Sequence, residues 1–161
     1  RAEKVLAGQD FKVVIDYAHT ADSLEAIYKA FPGRKICVFG ATGGGRDRWK
    51  RPEMGKIADS YCATLIPTDD DSYDENPHLI VDEIATGIFK HQPEKIVDRR
   101  LAIRRALSVA KAGDTVLLTG KGTDPYLMGP NGSKTPWDDA TVAREELQNL
   151  VTRNQIKTVP Q

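Results

Sequence analysis

Cysteine and histidine are scarce in this chain of 161 residues, at two and three copies. The two cysteines, Cys37 and Cys62, lie in apolar stretches without CxxC spacing and with no cluster of histidines nearby. That argues against a zinc site or a redox motif, and the expectation is a pair of buried, reduced thiols in a reducing compartment. Net charge is missing too, since 23 Lys+Arg balance 23 Asp+Glu. The whole molecule therefore has no field that steers it to nucleic acid or to a membrane surface, and neither is expected as a partner. Also absent is any apolar run approaching the roughly 20 residues of a membrane span, and residues 1–20 lack the charged-then-apolar order of a signal peptide. A cytoplasmic protein is expected.

What is present fits one soluble domain of ordinary size, with 40% apolar and 29% charged residues, long enough to fold without a disulfide or metal staple. Short β-branched runs at residues 12–18, 35–40, 64–68 and 115–119, with a weaker one at 95–97, read as strands. Helical stripes follow them. One carries Leu24, Ile27 and Phe31 behind the cap candidate Thr20; a second begins at Pro52 with Met54, Ile57 and Ala58; a third starts at the Asn76-Pro77 pair and runs through Ile80, Ile84 and Ile88. Two more are expected at 99–110 and 138–150. Strand-helix alternation with continuous apolar strands predicts a single Rossmann-like α/β domain, a mostly parallel sheet with helices on both faces. Its bounds are read as 1–150, followed by a tail, 151–161, that has lost its periodicity.

In such sheets ligands sit beyond the carboxyl ends of the strands, and the loops placed there hold the unusual residues. GATGGGRDRWKR combines Gly43, Gly44 and Gly45 with Arg46, Arg48, Lys50 and Arg51, a composition suited to phosphate or carboxylate. It matches neither GxxxxGK[ST] nor GxGxxG, so it makes no autonomous nucleotide cradle; a solvated loop is the plain alternative. DDDSYDEN concentrates Asp69, Asp70, Asp71, Asp74 and Glu75, fitting a cationic amine or a metal-phosphate group, or simply acids placed at a helix start. DYAHTAD offers Asp16 and His19, and TGKGTDPY brackets Lys121 between Gly120 and Gly122 ahead of Asp124. No protein metal site is expected from these loops.

The stretches DYAHTADSLEAI, FGATGGGRDRWKRPEMGKIAD, TDD at 68–70, GKGTDPY and DDATVAREEL resemble, in order and spacing, the C-terminal domain of the Mur ligases. The type most resembled is MurE, the UDP-N-acetylmuramoyl-tripeptide synthetases. Arg1-Ala2-Glu3 resembles the boundary at which that domain begins. The resemblance implies an ATP-dependent acid–amino-acid ligase of peptidoglycan synthesis. ATP, with Mg2+, activates the peptide carboxylate of a UDP-MurNAc-peptide as an acyl phosphate, and the amine of an incoming amino acid attacks it. Both are held mainly by the N-terminal and central domains, which are the implied partners of this one, so this chain alone is expected to be inactive.

Carried onto this sequence, the resemblance implies nucleotide contacts from Arg1, Asp16 and His19, and a phosphate- and substrate-facing loop with Arg46 and Arg48. An amino-acid site is implied at Arg51, Asp70, Asp71, Tyr73, Gly120 and Asp124, and no certain catalytic residue lies in this domain. Two departures stand out. Asp70-Asp71-Ser72-Tyr73 replaces the Asp-Asn-Pro-Arg of diaminopimelate-adding members, and Thr123-Asp124 replaces His-Glu. The first predicts that L-lysine is favoured over meso-diaminopimelate, because a second carboxylate would lie unpaired beside an acidic loop. Two alternatives stay open: another amide ligase of the superfamily, such as a cyanophycin-synthetase-like enzyme, or a stand-alone nucleotide- or amino-acid-binding module.

Overall fold

A computed structural model describes residues 2–45 and 47–153. The β-branched runs become strands β2 (Lys12–Asp16), β3 (Lys35–Phe39), β4 (Thr64–Pro67) and β5 (Thr115–Thr119), all mutually parallel in the order β2-β5-β3-β4. A two-residue strand β1 (Glu3–Lys4), too short to announce itself, pairs antiparallel with β2 at the edge. Side chains alternate between two apolar faces, as a doubly covered sheet requires. Val13, Ile15, Ile36, Val38, Val116 and Leu118 enter one core, while Val14, Cys37, Phe39, Leu65 and Leu117 enter the other.

Helices α1 (Ala21–Ala30), α2 (Lys50–Tyr61) and α3 (Pro77–Ala85) cover the second face, and α4 (Arg99–Val109) and α5 (Asp139–Thr152) the first. Switching faces as the chain returns from β4 to β5 keeps every crossover right-handed. The caps are those expected. Thr20 and Ser23 form a capping box at α1, and the Asn76 side chain accepts from the His78 N–H with Pro77 at the first turn of α3.

Three expectations change. The strand at 95–97 does not form: the Glu94 and Ile96 N–H groups donate to Leu65 and Pro67 carbonyls at 2.9 and 3.2 Å, but Pro67 has no N–H with which to return the ladder. The long connection at 120–136 contains a hairpin, β6 (Tyr126–Met128) against β7 (Lys134–Pro136). Helix α5 continues to Thr152, two residues past the expected domain end. The rest of the expected tail, 154–161, lies outside the described residues.

The expected free thiols are also corrected. Cys37 at the centre of β3 and Cys62 at the end of α2 are buried as predicted but joined in a disulfide. Hydrophobic burial brings both sulfurs to the same spot between sheet and helix, which linear spacing does not reveal. The bridge spans a sequence separation of 25 and should contribute about 3–4 kcal/mol by restricting the unfolded chain. Guanidinium unfolding with and without dithiothreitol is expected to differ by that amount; coincident curves would show that the bridge contributes nothing.

Candidate functional site

Because β2, β3, β4 and β5 are parallel, the loops that follow them leave the sheet on one edge, and glycines let them nest. The Gly43 N–H donates to the Asp71 carbonyl at 2.8 Å, and a Cβ on Gly43 would overlap the Ser72 backbone. Gly120, at φ 107°, lies against the Asp70 carboxylate. Arg99, at the start of α4, clasps this edge from beneath. Its guanidinium donates to the carbonyls of Asp69, just past β4, and Thr119, the last residue of β5, at 3.0 and 2.9 Å. The same group pairs with Asp139 through 2.9 and 2.8 Å bonds. Trp137 Nε1 donates to that carboxylate as well.

At the same edge lies a cavity of about 570 Å³ lined by His19, residues 41–44, Asp47, Lys50, Arg51, Met54 and Tyr73. Arg51 is only 2% exposed. Four hydrogen bonds occupy its fork, from Nη1 to Glu75 and Glu83 and from Nη2 to Glu75 and the Thr42 carbonyl, at 2.7–3.2 Å. Burial alone would weaken the Arg51 charge, but the bonds and charges of Glu75 and Glu83 outweigh it and its pKa rises. Glu75 also accepts from the Gly45 N–H, and hydrogen bonding to Arg51 holds its carboxyl below the usual range. Arg48 is an exposed partner of Glu83 at 2.8 Å.

The acidic loop divides by partner. Asp71, at φ 45°, receives Lys121 Nζ at 2.8 and 2.9 Å and the Met128 N–H. Asp74 accepts from the Asn131 N–H. Asp70 is buried, which pushes its carboxyl up to about 6; Arg99 and Lys121 oppose that shift while Asp71 and Asp139 reinforce it. Asp69 Oδ1 is buried with no hydrogen-bond partner among the described residues, and burial raises that carboxyl as well. Raised carboxyls beside buried cations at the end of a parallel sheet make this edge the candidate site.

The structure thus brings Arg51 and Tyr73 to one cavity and places Asp70, Asp71, Gly120 and Asp124 around the nested loops at the same edge, Asp124 lying 3.6 Å from Lys121 Nζ. His19, expected with the nucleotide group, lines the cavity of Arg51, its Nδ1 3.0 Å from the Tyr17 carbonyl. Asp16 accepts from the Ala18 N–H. A second cavity, of about 640 Å³, lies beside β1 between Tyr17 and residues 122–124. Arg1 and Arg46 lie outside the described residues. Sequence reasoning missed Arg99, Asp139 and Glu83, whose arginine, carboxylate and carbonyl partners stand 20 to 40 positions away; an arginine directly after the cap Asp98 was the one local hint at Arg99.

Residues 1–122 match the family model described as Mur ligase, glutamate ligase domain. A ligase of Syntrophomonas wolfei, named UDP-N-acetylmuramoyl-L-alanyl-D-glutamate–2,6-diaminopimelate ligase, is 46% identical over 158 residues, covering 94% of this chain and 32% of its own length. One of the same name from Trichormus variabilis is 48% identical over 145 residues, covering 86% and 29%. A solved structure under that name superposes with a TM-score of 0.86 at 32% identity, covering 94% of this chain and 32% of the other. The chain spans about a third of the length of the curated relatives it matches. These relatives are named for diaminopimelate, which does not support the expectation of L-lysine; Tyr73 for arginine, on which it rested, is one lining position of a cavity that Lys50 also lines.

Proposed function

Because the chain belongs to the Mur ligase family, with the likeness to MurE members just described, we propose that it is the amino-acid-binding C-terminal domain of a cytoplasmic ligase that joins 2,6-diaminopimelate to UDP-N-acetylmuramoyl-L-alanyl-D-glutamate. The observation that carries this reading is the carboxyl-edge cavity lined by Lys50, Arg51, the glycine loop and Tyr73, with Asp70, Asp71 and Asp124 in the loops nested at the same edge. An amino acid needs both signs of charge, and the edge supplies both. Asp70, Asp71 and Asp124 are the acceptors for ammonium, and Arg51 becomes a receptor for carboxylate once Glu75 leaves its fork.

ATP with Mg2+ supplies activation of the peptide carboxylate. The residues present fit an accessory role toward it. Two glycine-loop amides that could cradle phosphate, those of Gly43 and Gly45, are already given to Asp71 and Glu75, so in this reading the phosphates rest on the N-terminal and central domains of the parent chain. What this domain contributes is to bind the amino acid, orient its amine and close water out of the cavity. Asp16, His19 and the arginines at 1, 46 and 48 are its contacts toward the nucleotide and phosphate.

The complete parent enzyme decides the matter. With ATP and UDP-N-acetylmuramoyl-L-alanyl-D-glutamate, phosphate release is expected to depend on added 2,6-diaminopimelate and to show a higher kcat/KM for it than for L-lysine. Absence of dependence on any amino acid, or preference for lysine, would overturn the proposal.

A further inference from the structure

Diaminopimelate carries two carboxylates, and the cavity contains two described cations, Lys50 and Arg51. They are not equivalent. The Arg51 fork is filled by Glu75, Glu83 and the Thr42 carbonyl, and a carboxylate reaching it must first displace Glu75 from a guanidinium that is 2% exposed. Breaking such a buried arrangement is costly. Lys50 is held loosely. Its ammonium lies 3.3 Å from Asp47, with side chains 44% and 61% exposed, and 5.5 Å from the Trp49 ring centroid. An exposed pair of this kind contributes little and yields easily to another carboxylate.

We propose that Lys50 is the receptor for the second, distal carboxylate of the substrate, and so the residue by which this site separates a diamino dicarboxylate from lysine. The inference rests on the diaminopimelate reading above. Lys50 begins α2 next to Arg51 and lines the same cavity on a flexible stem. Tyr73, at φ 53° on the rim, puts a phenol rather than a charge there. Among the described residues of the cavity, that leaves the lysine as the cation free to move to the ligand.

The test uses the complete enzyme with Lys50→Gln and Lys50→Arg. Lysine is diaminopimelate without the distal carboxylate, so the pair isolates the contact. Lys50→Gln is expected to lower kcat/KM for 2,6-diaminopimelate 10- to 100-fold, mainly through KM. The constant for L-lysine, read as turnover or as competitive inhibition, should change less than twofold. Lys50→Arg should restore most of the loss. Equal losses for both amino acids, or no change for either, would overturn the assignment of Lys50. An unmutated enzyme that does not ligate diaminopimelate would instead overturn the reading beneath it.

Discussion

Replacing Arg99 by methionine is expected to destabilise the chain by about 3–5 kcal/mol, the usual result of breaking a buried ion pair from one side. Both side chains of the Arg99–Asp139 pair are 0% exposed, and burial, which alone would lower the Arg99 pKa, is outweighed by Asp139, so the arginine is held charged. Without it the Asp139 carboxylate keeps, among the described residues, only Trp137 Nε1 as a side-chain donor, and the carbonyls of Asp69 and Thr119 lose the Arg99 bonds. An uncompensated buried charge and two stranded acceptors cost more than the methionine recovers by packing. The control is the double variant Arg99→Met with Asp139→Leu, which removes both charges and should regain a large part of the loss. Guanidinium unfolding of the three proteins gives the coupling directly. A single-variant loss below about 1 kcal/mol would mean that water replaces the clasp. The functional consequence follows from position, because the Arg99 bonds tie the carboxyl ends of β4 and β5, from which the acidic loop and the Gly120 turn spring.

The contrast between what was readable beforehand and what was not has a physical origin. Strands β2 to β5 are continuous β-branched runs buried on both faces, so composition alone located them, and parallelism followed from the helices between them. The β6–β7 hairpin escaped because its three-residue strands are flanked by Pro125 and Pro130, include Pro136 and show little alternation. Site loops were found because chemistry in a parallel sheet gathers at one edge. Their internal wiring was not, since Arg51 to Glu75, Lys121 to Asp71 and Cys37 to Cys62 are long-range meetings set by the strand order. This wiring changes the chemistry. An arginine read as an open carboxylate receptor is already saturated, and a lysine read as one charge among four becomes, among the described residues, the available one.

Asp70→Asn is expected to make the chain more stable at neutral pH while weakening the complete enzyme. The Asp70 carboxyl sits in a slot where Gly40 and Gly120 leave it room, and burial raises its pKa from 3.8 to about 6. A carboxyl that binds its proton more tightly folded than unfolded favours the native state at low pH, and that advantage disappears as pH rises from about 4 to 6. Above this window the protein holds a charge that it would rather not bury. The asparagine never carries that charge, so the stability difference between variant and parent should be near zero at pH 4. It should grow to as much as about 3 kcal/mol at pH 7, on the order of 1.4 kcal/mol per pH unit across the window. Taking the difference matters, because Glu75, Glu83, Asp59, Asp139 and Glu146 have lowered pKa values and make the parent lose stability as pH falls. Those contributions are common to both proteins and cancel. In the complete enzyme the same substitution removes one carboxylate from the group proposed to meet the substrate ammonium, and the KM for the amino acid should rise. Gain in stability with loss of substrate affinity is the mark of a charge kept buried for binding rather than for the fold. An asparagine variant less stable than the parent at pH 7 would show instead that attraction to Arg99 and Lys121 outweighs burial, making Asp70 part of the scaffold.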